Sequence, residues 1–216
     1  MVDWAATGSM IGGIAAWAGV GAVIYGAYRA ANTIDGFRKE KLFERRLQTA
    51  DDVLTLAYRI KRNLAAVRSP MAGGNESEAA HEVLKDLEWY RNLTEGRQRQ
   101  AQQGQLIRLR LKRYDPDWER IFEVMPKARA YFGEEVEAQL QKLWQQVTGV
   151  NVSADMYSTD NRADADFTQK LERDIWDIGM RDPSQNPISV EIEKAICKLE
   201  EILLPILRDP STGTTT

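Results

Sequence analysis

With one cysteine and one histidine in 216 residues, the chain holds little of what metal centres and nucleophilic active sites are made from. Cys197 has no second cysteine to pair with, so an internal disulfide is excluded. It lies beside an apolar helical seam, near Glu200 and Glu201 rather than the basic groups that activate a thiol, and reads as a packing residue. His81-Glu82 opens like a zinc-protease helix, but Lys85 stands where the second histidine must be, and a solvent-facing His81 is expected. Asp160, Asp164 and Asp166 fail the calcium-loop spacing, because Ala165 holds the glycine position and Leu171 the closing glutamate position. A loop and a helix N-cap account for these three. SPMAGGNES (69–77) lacks both the Lys-Ser/Thr pair and the preceding strand of a phosphate loop. Strands are scarce too: LIRLRLKRY (106–114) alternates, yet no second run pairs with it, and Ile107, Leu111, Tyr114 and Trp118 fall at helical spacing. These absences predict an all-α protein that is not an enzyme, with no metal, no cofactor and no small-molecule substrate.

Charge is missing from one long stretch. Residues 4–28, WAATGSMIGGIAAWAGVGAVIYGAY, contain no charged side chain, six glycines, seven alanines and no leucine. As a helix they would span ~37 Å at ~1.5 Å per residue, enough for a ~30 Å hydrocarbon core. A soluble helix of that length would carry a polar face, and a cleaved leader would carry a basic start instead of Met1, Val2 and Asp3. Trp4, Tyr25 and Tyr28 stand where aromatic belts form. The stretch therefore predicts one transmembrane helix. Arg29, Arg38, Lys39, Lys41, Arg45 and Arg46 follow it and no basic residue precedes it, which places the N-terminus outside and the rest in the cytoplasm, under the inner (plasma) membrane. Gly8, Gly12, Ala15, Gly19, Ala22 and Gly26 recur at alternating steps of four and three. Small faces of this kind let membrane helices approach closely, so a homo-oligomer or a membrane protein partner is expected.

The remaining chain is amphipathic in helical register. Phe43, Leu47, Ala50, Leu54, Ala57 and Leu64 share one face, with a capping box at Thr49 that would restart the helix. Val136, Leu140, Leu143, Val147, Val150, Ala154 and Tyr157 share another, in steps that run straight through Gly149. Asp117 and Ser189 are the expected N-caps of later helices, and Pro126 an expected kink or break. The expected layout is a membrane anchor with connector (1–35), an antiparallel bundle (36–208) and a disordered tail (209–216). Helices are expected at 36–68, 78–113, 118–132, 134–157, 166–181 and 189–208, with Trp89, Trp118, Trp144 and Trp176 as core anchors.

Residues 91–113 carry seven basic side chains and one acidic, whereas 114–216 carry eleven basic and twenty acidic. Arg97, Arg99, Arg108, Arg110, Lys112 and Arg113 form the candidate surface for an anionic partner. The net charge of −3 argues against the chain as a whole being a nucleic-acid binder. The uncharged anchor, TADDVLTLAYRIKRNLAAVRSP and ARAYFGEEVE, in that order over residues 1–157, resemble bacterial single-pass membrane proteins with a cytoplasmic helical domain. That resemblance implies an inner-membrane setting and supplies no activity or ligand. The sequence thus predicts a membrane-anchored interaction or scaffold protein. The alternative is a peripheral regulator whose segment 91–113 binds anionic lipid or nucleic acid.

Overall fold

The computed structural model describes the backbone of residues 4–177 and 186–208 and the side chains of 36–177 and 186–208. Among these residues there are eight helices and no strand: α1 (Trp4–Val67), α2 (Gly74–Leu84), α3 (Glu88–Arg91), α4 (Glu95–Lys112), α5 (Asp115–Phe132), α6 (Glu134–Thr159), α7 (Ala165–Ile175) and α8 (Pro187–Arg208). The chain divides into two units, Met1–Arg46 and Leu47–Thr216. Among the described residues no helix is long and apolar enough to cross a membrane. The run 4–28, which carries the anchor expectation, has a helical backbone and lies outside the residues whose side chains are described. The tail 209–216 also lies outside the described residues.

The second unit is built around α6. Its seven residues in register are all buried, and it packs against α4, α5, α7 and α8. Pairings along α4 run in opposite order to α6: Arg97 meets Thr159, Gln100 meets Tyr157, and Gly104 lies against Ala154. The two helices are therefore antiparallel. Gly133 alone joins α5 to α6 at φ 84°, a left-handed conformation in which a Cβ would be strained. From α1, Ala50, Val53, Ala57, Ile60 and Leu64 enter the same core.

Several sequence expectations need correction. The restart at Thr49 does not occur, because Thr49 is buried inside a continuous helix. The helix expected at 78–113 is broken at Lys85–Leu87 and again at Asn92–Thr94. The folded-back chain brings Leu84, Tyr90 and Ala101 into one small cluster, which a straight helix would spread over ~25 Å of its length. Asp117 caps nothing: α5 begins two residues earlier, with Pro116 in its first turn, and the Asp117 carboxylate accepts from Arg59 Nη1 (3.1 Å) and Asn63 Nδ2 (2.6 Å). Ser189 is not the cap of α8 either. The Asn186 side chain accepts from the backbone N–H of Ile188 and of Ser189, freeing the Ser189 hydroxyl for Arg68. The helix expected at 166–181 stops at Ile175, and residues 178–181 lie outside the described residues. α5 continues through Pro126. Of the four tryptophans only Trp118 is buried, its indole N–H donating to Leu111 O at 2.9 Å, while Trp89 is exposed and Trp144 and Trp176 are half-buried.

Candidate interaction surface

The six cations proposed for an anionic partner all stand on α4 or just past its end, but they do not form one stripe. At 3.6 residues per turn, Arg97, Arg108 and Lys112 fall on one side of the helix and Arg99, Arg110 and Arg113 on the other. Arg97 donates to Thr159 O (3.1 Å), closing the C-terminal end of α6. Arg108 pairs with Asp155 (3.0 Å), Arg113 with Glu76 (3.2 Å), and Arg99 loosely with Glu95 (3.7 Å); Lys112 is exposed.

Arg110 leaves the candidate surface altogether, because it is buried. Its guanidinium donates to Val67 O (3.1 Å), Ser69 O (2.6 Å) and Met71 O (2.7 Å), and pairs with the Glu76 carboxylate at 2.6 Å. It thereby ties down the carbonyls where the chain leaves α1, groups that a helix end leaves without partners. The planar fork is what allows one side chain to meet three carbonyls and a carboxylate.

The Arg110 hydrogen bond holds the Glu76 carboxyl below the ordinary carboxylate range, against a smaller opposing effect of burial. A depressed folded-state pKa contributes stability above the unfolded value of 4.5 and loses it as pH falls through the folded one. Glu76→Gln is therefore expected to be less stable than wild type at neutral pH, with the gap closing as the pH is lowered past 4.5. Denaturation midpoints of both proteins across that range check this; a gap that stays constant with pH would count against it.

A different surface is left open by α6. Ala138, Gln141, Gln145, Thr148, Val152 and Met156 recur at steps of three and four, and all are exposed. Not one carries a charge; Lys142 and Asp155 border the row. Val152 is 49 % and Met156 44 % exposed; Phe122 of α5 is 54 % exposed, with its ring edge-on to Trp144 at 5.0 Å. A Cβ at Gly149 would meet nothing within 4 Å. Grooves of about 520 Å³ flank this ridge. One, against α7, is lined by Trp144, Val152, Met156, Phe167, Lys170 and Asp174; the other, against α4 and α5, by Arg108, Leu109, Lys112, Asp115, Trp118 and Trp144. Only Ala138, Val152 and Met156 of the row are apolar, and isolated exposed apolar residues are ordinary; what sets the row apart is that its six residues carry no charge. Other helix faces are laced with ion pairs instead, such as Lys61–Glu193 (2.5 Å), Arg120–Asp52 (3.1 Å) and Lys198–Glu135 (3.3 Å).

No family model, curated protein or solved structure matches this chain.

In the first unit, the described part of α1 shows a second exposed set. Phe37 and Leu42, 60 % and 57 % exposed, stand among Arg38, Lys39 and Lys41, and Lys41 Nζ lies 5.9 Å from the Phe37 ring centroid. Gly8, Gly12, Ala15, Gly19, Ala22 and Gly26 lie outside the residues whose side chains are described.

The smaller candidates resolve into structure. Asp164 caps α7, accepting from the N–H groups of Asp166 and Phe167, and Asp160 accepts from the Thr168 hydroxyl at 2.5 Å. Among the described residues no cluster of His, Cys, Asp or Glu is disposed to hold a metal. Cys197 is exposed, not packed, which corrects the sequence expectation. His81 faces solvent as expected, with Nδ1 3.1 Å from the Tyr90 hydroxyl, where Gln102 also donates at 2.6 Å. The α6 ridge itself was missed, although a signal for it existed: residues 143–154 form the longest uncharged run after residue 28.

Proposed function

We propose that the chain is a single-pass anchored interaction protein of a bacterial inner membrane, with its helical bundle on the cytoplasmic side. The observation that carries this reading is the junction of the uncharged run 4–28 with a helical stretch whose exposed Phe37 and Leu42 are interleaved with Arg38, Lys39 and Lys41. Aromatic and basic side chains together suit the boundary between anionic headgroups and water. On the bundle, the uncharged row of α6 and its flanking grooves are the surface offered to partners. The anionic-partner alternative is weakened, because Arg110 is buried and the rest of its six cations face two ways.

Two measurements test the proposal. Fractionation of cells after an alkaline wash should leave the full chain in the membrane pellet; recovery in the soluble fraction would overturn the anchor. In a membrane two-hybrid assay, Gly12→Leu with Gly19→Leu should reduce self-association by roughly tenfold, the scale of ~1.4 kcal/mol lost in helix packing. An unchanged signal would remove self-association from the reading and leave the anchor in place.

A further inference from the structure

We infer that α1, where it emerges from the membrane at 37–42, binds the anionic phospholipid headgroups of that leaflet through one side of the helix only. The inference rests on the anchored reading above and names the partner of that junction. At ~100° per residue, Phe37, Lys41, Arg38, Leu42 and Lys39 follow one another within about 200° of the helix circumference, and Arg45 and Arg46 fall in the same part. Glu40 and Glu44 stand in the remainder, so the two signs of charge take different sides. Phe37, Arg38, Lys39, Lys41 and Leu42 are all exposed, and full burial along α1 begins only at Thr49. Arg38 and Lys39 have no ion pair among the described residues, while Lys41 is shared with Glu44 at 2.6 Å. The core of the bundle therefore makes no use of the basic side.

Charge on one side has an effect when that side faces the surface. A helix standing upright presents every side to the leaflet equally. The uncharged run 4–28 is ~37 Å long against a ~30 Å hydrocarbon core, and a lean of ~35° takes up the excess. Arg38, ten residues past Tyr28, then stands ~12 Å above the hydrocarbon edge instead of ~15 Å. The headgroup layer is ~5–7 Å thick, so Arg38 comes within one Debye length of it, ~8 Å at physiological salt. Each cation near an anionic surface is worth about a fivefold preference for it. Leaning toward the basic side also carries Glu40 and Glu44 away from the lipid. An acidic protein would match the same charges, but the leaflet is already held beside this stretch by the helix that carries it.

The test uses the full chain reconstituted in vesicles of phosphatidylcholine alone, or of phosphatidylcholine mixed with phosphatidylglycerol. Two uncharged reagents, phenylglyoxal for arginine and an acetyl ester for lysine, are applied, and the rate at each residue is read by mass spectrometry. Arg38, at the middle of the basic side, is expected to react at least roughly fivefold more slowly when phosphatidylglycerol is present, and to lose that protection at ~1 M salt, where the Debye length is ~3 Å. Arg99 and Lys112 of the bundle should react equally in both vesicles. A lysine introduced on the other side, by Glu40→Lys, should do the same. Slowing of the Glu40→Lys lysine as well overturns the one-sided contact. Equal Arg38 rates in both vesicles, in a chain that an alkaline wash leaves with the lipid, overturn the headgroup contact and leave the anchor standing. Release of the chain by that wash overturns the anchor and this inference together. Protection of Arg38 in isolated cell membranes but in neither vesicle overturns the leaflet as occupant and assigns the face to a protein.

Discussion

Replacing Arg68 with methionine is expected to destabilise the folded chain by about 2–4 kcal/mol, and replacing it with lysine by at least as much. Arg68 directly follows the last residue of α1, and it is only 1 % exposed. Its guanidinium donates from Nε to Asp174 O (2.9 Å), from Nη2 to Arg173 O (3.1 Å) and from Nη1 to the Ser189 hydroxyl (3.2 Å). Its own carbonyl accepts from the N–H of Asp177 at 2.8 Å. One side chain thus ties the end of α1 to the last carbonyls of α7 and the first turn of α8. Methionine fills much of the volume but leaves Asp174 O without this donor; Arg173 O keeps the Asn186 amide at 3.2 Å. Removing the charge also relieves a strain, because burial lowers the Arg68 pKa against the raising influence of Asp177 and Asp174. Lysine keeps the buried charge and gives up the fork that reaches three acceptors, so it is the harsher change. Urea denaturation of the purified full chain gives the loss, and faster amide exchange in 165–175 and 187–208 localises it. A loss below about 1 kcal/mol for both variants would show that the knot does not hold these ends together.

Arg68 and Arg110 also mark the limit of what pattern reading can reach. The apolar registers were legible: the seven expected residues of α6 are all buried, and on the α8 face of Ile192, Ile196, Leu199, Leu203 and Ile206 all but the half-buried Ile206 are. Such registers follow from helical period alone, which is local. The continuation of α6 through Gly149 was legible for the same reason. An arginine, by contrast, is exposed or buried according to which distant carbonyls the fold delivers to it. Arg110 looks like its neighbours in RLRLKR, yet it is claimed by residues 67, 69, 71 and 76. Caps failed similarly: Asp117 and Ser189 are good cap residues, but each met a long-range donor, while Pro116 and Asn186 set the helix starts. Of the candidate surfaces, the basic one was visible as composition and dispersed in three dimensions. The α6 ridge was visible only as an absence of charge, which gains meaning once the opposite face is known to be core.

Glycine provides the sharpest case, because two glycines that look alike in sequence should respond to the same substitution with opposite sign. Gly104 and Gly149 both lie inside helices, where alanine is favoured by roughly 1 kcal/mol on backbone grounds. At Gly149 a Cβ meets nothing within 4 Å, so Gly149→Ala is expected to stabilise the chain by about 0.5–1 kcal/mol. At Gly104 a Cβ would sit 2.5 Å from Ala154 O and would run into the Ser158 hydroxyl. α4 and α6 approach closely here, and the wall includes backbone, which cannot rotate away as a side chain can. Gly104→Ala is therefore expected to destabilise by about 2–3 kcal/mol, the overpacking penalty exceeding the propensity gain. Adding Ser158→Ala removes the hydroxyl but leaves the carbonyl of Ala154, so it should restore only part of the loss. Paired denaturation curves for the single and double variants decide the matter. If Gly104→Ala proved neutral, α4 would have to move away from α6 with little resistance, and the tight seam that aligns these two helices would not be what holds them in register.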